Sequence, residues 1–215
     1  MNKKIALDMV KKLKEKYPDA KCSLDFTTPF EMLVAVSLSA QCTDERVNKV
    51  TPVLFSRCKT LEDYITIPIS ELEDLVHSCG FYKNKAKNIK KAAIDVRDIF
   101  DGVVPNNPKY LTKLAGVGRK SANVIMLEAF GIASGIAVDT HAKRIANLMG
   151  LSKFKEPEKI EKDLLKIFPK EYLKDINHLL VWHGRNTCIA RKPKCESCPL
   201  HIYCSNYIKR KKHEK

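Results

Sequence analysis

The chain has 215 residues, with 39 Lys and Arg against 25 Asp and Glu, for a formal net charge of +14. That length suits one large domain or two modest lobes around a substantial core, and the charge predicts a polyanionic partner. Charged residues interrupt every apolar run, so no membrane span is expected. The N-terminus has no apolar stretch long enough for a secretion signal, because Asp8 and the lysines from Lys11 to Lys14 break it, and a cytoplasmic location is expected.

Nearly every segment reads as helix. Ile5, Met9, Val10 and Leu13 form one face of an N-terminal amphipathic helix. Thr28-Pro29-Phe30-Glu31 joins a capping-box pattern to a proline at the first helical position, and opens a strongly apolar helix running to Ala40. Thr43 or Asp44 can cap the next, which carries Val47, Val50 and Leu54. Further helices are predicted over 70–78, 83–100, 108–114, 119–130, 140–149, 156–168 and 171–182, separated by short Pro, Gly and Asn turns. No alternating strand pattern or internal repeat is present, and the fold is expected to be all-α with about ten helices. Basic residues are dense over Lys83–Lys91, Arg191–Lys194 and Lys209–Lys212. A seam between lobes is expected at Gly131-Ile132-Ala133-Ser134-Gly135, where small residues dominate.

Two stretches carry chemistry. In the first, Leu114-Ala115-Gly116-Val117-Gly118-Arg119-Lys120, a Gly-X-Gly turn joins two short helices and delivers Lys120 onto the first turn of the second. Bare glycine backbone at a helix N-terminus suits a phosphate, and the amine of Lys120 beside it is either a plain phosphate ligand or a nucleophile. The second helix shows an apolar stripe of Ala122, Ile125, Met126, Ala129 and Phe130, with Gly131 as its C-terminal cap. The second stretch holds Cys188, Cys195, Cys198 and Cys204, a C-x6-C-x2-C-x5-C pattern broken by Pro193 and Pro199. Four thiolates in so compact a loop fit structural zinc or an iron–sulfur cluster, and spacing alone does not separate the two. Arg191, Lys192 and Lys194 inside the loop suit phosphate contact, or offset the charge of a thiolate-bound centre. The remaining cysteines, Cys22, Cys42, Cys58 and Cys79, are scattered and read as small buried hydrophobes.

The Gly116–Lys120 turn, Val138-Asp139-Thr140-His141 and the cysteine tail occur together and in order. With Leu38-Ser39-Ala40-Gln41-Cys42-Thr43-Asp44, Gly80-Phe81-Tyr82 and His183-Gly184-Arg185, they make the chain resemble the endonuclease III family along nearly its whole length. These are bifunctional DNA glycosylase/AP lyases of the helix-hairpin-helix type. The resemblance implies two helical lobes with a DNA-binding cleft between them. One is a central lobe over 23–132 with the hairpin, and the other is built from 1–22 and 133–215 with an iron–sulfur loop. It implies base-excision repair of oxidised pyrimidines in duplex DNA, through a lysine Schiff base and β-elimination. Lys120 matches the attacking lysine, and Asp139 the aspartate that assists it. The four cysteines match ligands of a [4Fe–4S] cluster. Gln41 matches the residue that enters the space left by the extruded base, and Phe81 a neighbouring wedge position that is more often aliphatic. Gly116, Gly118, Arg119, Arg191, Lys192 and Lys194 fall on the DNA-binding surface. The partner implied is double-stranded DNA with a damaged base or abasic site, bound by a monomer with no membrane association. Ala115 departs from the family, which often has proline there.

Rival readings attach to several of these residues. Asp139 can cap the helix that starts at Thr140, Gln41 can satisfy a helix corner, Phe81 can be a core aromatic, and Asp44 can be a cap. At the level of the whole chain the rivals are a mismatch glycosylase acting on adenine or thymine, and a non-catalytic DNA-binding or redox-sensing module.

Overall fold

The structure, a computed structural model, describes residues 3–213. Met1, Asn2, Glu214 and Lys215, the outer ends of the lobe expected from 1–22 and 133–215, lie outside the described residues. Every regular element among the described residues is helical, and the chain divides into two compact units.

The first unit is Ser23–Ser134. Its centre is α2 (Pro29–Ser39), in which Phe30, Met32, Leu33, Val34, Ala35, Val36 and Leu38 are all buried. A helix apolar on every side must be wrapped by others. Here α3 (Asp44–Arg57), α6 (Tyr82–Ile99) and α8 (Arg119–Phe130) pack on it. The start of α2 follows the sequence: Thr28 accepts from the Glu31 amide at 3.1 Å, and the Glu31 carboxylate accepts from the Thr28 amide at 3.2 Å. Thr43, not Asp44, caps α3, while Asp44 accepts a hydrogen bond from Ser23. Short helices α4 (Leu61–Thr66) and α5 (Ile69–Val76) pack on α6, and α7 (Pro108–Leu111) precedes the hairpin.

The second unit comprises the chain up to Cys22 and from Gly135 onward. It holds α1 (Lys3–Lys16), α9 (Thr140–Met149), α10 (Pro157–Ile167), α11 (Leu173–Asn186) and α12 (Ser205–His213). α11 packs on both α1 and α9. Its contact with α9 is close because residue 184 is glycine: a Cβ there would stand 2.5 Å from the Cβ of His141.

The structure departs from the expected elements in identifiable ways. α4 is only six residues long, too short to show an apolar period, and rests on a local capping box between Thr60 and Asp63. α12 reads in sequence as a charge run, yet Tyr207 and Lys211 anchor it on Glu196. The 108–114 segment stops being helical at Leu111, and on α8 Asn123 and Leu127 are buried where Ala129 and Phe130 are half-buried. The basic density over Lys83–Lys91 is partly internal. Lys85 is 6% exposed, and Lys90 donates to the Ile67 carbonyl.

Candidate functional site

The hairpin is built by backbone conformation. Asn107 caps α7, with Pro108 at its first position, and the chain then turns through Leu114 to Gly118. Leu111, Leu114 and Val117 are buried and seat the turn, and the Val117 amide donates to the Leu114 carbonyl at 3.1 Å. Gly116 has φ +76°, a left-handed conformation that favours glycine, and a Cβ there would lie 3.0 Å from the Asn88 side chain. Gly118 differs. Its φ of −87° suits any residue, and a Cβ would meet nothing within 4 Å. The fold itself therefore does not demand glycine at 118, whereas close approach of a ligand from outside would. Gly118 is the N-cap of α8, at the positive end of the helix, and carries no capping side chain. Gly116, Gly118, Arg119 and Lys120 are all exposed. The Lys120 amine makes no hydrogen bond or ion pair with any described residue.

Asp139 caps α9: one carboxylate oxygen accepts from the Ala142 amide at 2.7 Å. Its second oxygen has no partner among the described residues. The carboxylate is thereby fixed in direction, with one oxygen left for other work. His141 packs against Gly184 and lies 3.3 Å from a guanidinium nitrogen of Arg144, a structural position.

Gln41 and Phe81 share an unusual property. Both have a positive φ, +54° and +49°, without being glycine, and both are exposed. Such conformations cost on the order of 1 kcal/mol or more and concentrate at functional sites. Phe81 is 64% exposed, which rules out the core-aromatic reading. What holds the two turns was not legible from sequence. The buried Lys85 amine donates to the Leu38 carbonyl at 2.9 Å and to the Cys79 carbonyl at 2.8 Å. It thus caps the chain ends from which both turns depart, and burial lowers its pKa.

The four tail cysteines surround one cavity of about 40 Å³, closed on its apolar side by Ile145, Leu148, Met149 and Leu200. Four thiols lining one cavity supply the donor set that an iron–sulfur cluster takes. Burial raises the pKa of Cys188 and pushes that of Cys198 up to about 11, so binding must displace protons from these thiols. Around the ligands runs a second set of contacts. Arg144 donates to the carbonyls of Gly184 (2.9 Å) and Cys188 (2.5 Å). His183 Nε2 is 3.6 Å from the Cys198 sulfur, and its Nδ1 is 3.2 Å from the Tyr17 hydroxyl, which also meets Thr187 at 2.6 Å. Burial, then the Arg144 charge, depress the His183 pKa to about 4. Arg191, Lys192 and Lys194 are exposed on the same loop. Arg144, Tyr17 and Lys85 are supports that sequence reasoning did not single out for these roles.

Comparison with known proteins gives concordant results. The HhH-GPD superfamily of base excision DNA repair proteins matches residues 34–170, and the iron–sulfur binding domain of endonuclease III matches residues 188–204. Endonuclease III of Synechocystis sp. is 47% identical over 202 residues, 94% of this chain and 92% of that protein. A solved structure of a non-covalent endonuclease III–DNA complex superposes with a TM-score of 0.92 at 43% identity, covering 99% of each chain. A trapped endonuclease III–DNA covalent intermediate, an estranged-adenine complex, gives the same TM-score and identity over 98% of this chain and 99% of that one.

Proposed function

The chain belongs to the endonuclease III family, the DNA glycosylase/AP lyases of the HhH-GPD superfamily with a [4Fe–4S] cluster, and we infer that Lys120 is the nucleophile of its base-excision chemistry. The observation that carries this reading is the Lys120 amine itself. It is exposed, has no hydrogen-bond or ion-pair partner among the described residues, and is held on the first helical turn beside the bare backbone of Gly116 and Gly118.

The substrate in this reading is duplex DNA containing an oxidised pyrimidine or an abasic site, bound by a monomer in the cytoplasm. A stacked base is out of reach, so it is extruded, at a cost of roughly a few kcal/mol that damage lowers. Gln41 and Phe81, preset in left-handed turns, occupy the gap and stack on the bases left behind. The amides at Gly116, Gly118 and Arg119 hold a backbone phosphate, and Arg191, Lys192 and Lys194 hold others. Lys120 attacks C1′, displaces the damaged base and opens the sugar to a Schiff base. The free oxygen of Asp139 stabilises the positive charge that develops on the sugar. Loss of a C2′ proton then expels the 3′ phosphate, and hydrolysis of the imine frees the lysine. Cys188, Cys195, Cys198 and Cys204 hold the cluster, which staples the loop that presents the three cations.

Borohydride reduction tests the assignment. The native protein is expected to be captured covalently on thymine-glycol or abasic duplex, and Lys120→Ala is not. A native protein, cluster intact, that cleaves neither substrate and leaves no trapped complex would point to a non-catalytic module instead. Removal of undamaged adenine or thymine from a mismatch, without trapping, would point to a mismatch glycosylase.

A further inference from the structure

Lys85 is buried at the end of the first turn of α6, yet it has no carboxylate partner among the described residues. A buried ammonium is costly unless its donors are used, and this one uses them on two carbonyls from separate elements. The Leu38 carbonyl, 2.9 Å away, lies in the last turn of α2, where backbone oxygens lack partners within the helix. The Cys79 carbonyl, 2.8 Å away, ends the short 3-10 turn His77–Cys79. Lys85 also donates through its own amide to the Phe81 carbonyl at 3.1 Å. From Leu38 the chain reaches Gln41 in three residues, and from Cys79 it reaches Phe81 in two, entering left-handed backbone in both cases. One side chain, 47 residues from Leu38 in sequence, thus holds the starting points of both exposed turns.

We propose that Lys85 is a positioning residue for base extrusion: it fixes the spacing of the Gln41 and Phe81 turns, so that both side chains enter the base stack together. The inference rests on the proposed role of Gln41 and Phe81 in filling the gap left by an extruded base. Left-handed backbone at residues other than glycine persists only where the surroundings over-determine it. The local bonds close each turn on itself: the Cys42 amide donates to the Ser39 carbonyl at 3.1 Å, and the Gly80 amide to the His77 carbonyl at 3.2 Å. Neither crosses to the other turn. The Lys85 amine does cross, and two oxygens bound to one buried nitrogen cannot drift apart.

Loss of the amine would leave two carbonyls without their donor and free the turns to settle independently. A displacement of about 1 Å in positioning groups can lower turnover roughly a hundredfold. The loss should fall on extrusion more than on the steps that follow it. An abasic site has no base to unstack, so its cleavage depends less on the two turns. Affinity for duplex comes mainly from phosphate contacts and should change little.

The test uses the full-length, cluster-loaded protein and Lys85→Met, which nearly keeps the side-chain length and removes the donor. Rates are compared well below each variant's thermal midpoint. Lys85→Met is expected to cleave thymine-glycol duplex roughly a hundredfold more slowly at saturation, with KM within about threefold of native, and abasic duplex at most about tenfold more slowly. A double-mutant cycle separates positioning from support of the fold. Once Gln41→Ala and Phe81→Ala have removed the positioned side chains, adding Lys85→Met should cost little further activity. A second measurement needs no chemistry: 2-aminopurine is placed beside a tetrahydrofuran abasic analogue in duplex. The fluorescence rise on binding native protein should vanish with Gln41→Ala/Phe81→Ala and shrink severalfold with Lys85→Met. Should Lys85→Met not fold, Lys85→Gln, which keeps a donor on a shorter stem, carries the same comparisons with smaller losses. Native-like cleavage by a folded Lys85→Met, equal losses on both duplexes, or undiminished loss on the Gln41→Ala/Phe81→Ala background would each overturn the proposal. A Gln41→Ala/Phe81→Ala protein that matches the native in cleavage and fluorescence would remove the role of the two residues, and that of Lys85 with it. If the native protein cleaves no lesion duplex, the proposed function fails, and the fluorescence comparison still decides whether Lys85 positions the turns.

Discussion

The hairpin around Gly116–Lys120 and the loop around the four tail cysteines are built on opposite plans. The hairpin is made locally: an Asn107 cap, a proline start, one left-handed glycine and three buried apolar residues within a short stretch of chain. The amine of Lys120, the proposed nucleophile, is positioned by the backbone and makes no hydrogen bond or ion pair with the described residues. The cysteine loop has little regular structure, and its position depends on side chains from distant helices. Arg144 on α9 holds two carbonyls of the α11 end and the loop start, and Tyr17, after α1, reaches His183 and Thr187. Chemistry placed by local backbone can lose its side chain without loss of fold. A loop placed by remote side chains cannot lose its supports so easily.

Lys120→Ala gives the largest contrast. Borohydride trapping and strand cleavage should fall to background, while the thermal midpoint changes little, because an exposed side chain without partners contributes within about 0.5 kcal/mol. A large fall in the thermal midpoint would show that the lysine supports the fold and would break the contrast. Arg144→Met should do the reverse. It leaves the Gly184 and Cys188 carbonyls without their donor, a loss of about 3 kcal/mol for two charge-assisted contacts in a part-buried site. Iron content and the thermal midpoint should drop together, and unchanged iron loading would remove Arg144 from the support of the loop.

The same contrast explains what could be read from the sequence. The bounds of α8 and α9 are those predicted, because Gly118, Gly131, Asp139 and Gly150 mark their ends locally. The hairpin and the cysteine spacing are equally local signals. Lys85 was invisible for the opposite reason. It reads as one more cation in a basic helix, and only the fold brings its amine beneath the carbonyls of Leu38 and Cys79. Tyr17 and His183 are 166 residues apart, and no pattern in either segment announces the other. Asp139 stands between the two cases. Its capping role was legible from Thr140 onward, whereas the unpartnered second oxygen was not.

Gly116→Ala probes the hairpin's own tolerance. The left-handed φ and the 3.0 Å approach to Asn88 together should cost about 2 kcal/mol, read as a lower thermal midpoint. Gly118→Ala, in open space and with an ordinary φ, should cost less than half as much in stability yet still weaken binding to duplex DNA. Equal stability losses at the two positions would mean that Gly118 is fixed by the fold rather than by a ligand.

Tyr17→Phe is the mildest of these changes and the most discriminating for the cysteine loop. It removes one hydroxyl and leaves the aromatic packing against Trp182 and His183 in place. Thr187 Oγ1 and His183 Nδ1 lose a partner, at a cost of about 1 kcal/mol. Because His183 is the side chain that meets the Cys198 sulfur, this loss should reach the cluster as a shift in its reduction potential, with iron content retained. A lowered thermal midpoint with the potential unmoved would make Tyr17 a packing residue only. A shifted potential extends the support of the loop one residue further, from the ligand through His183 to the chain segment that follows α1.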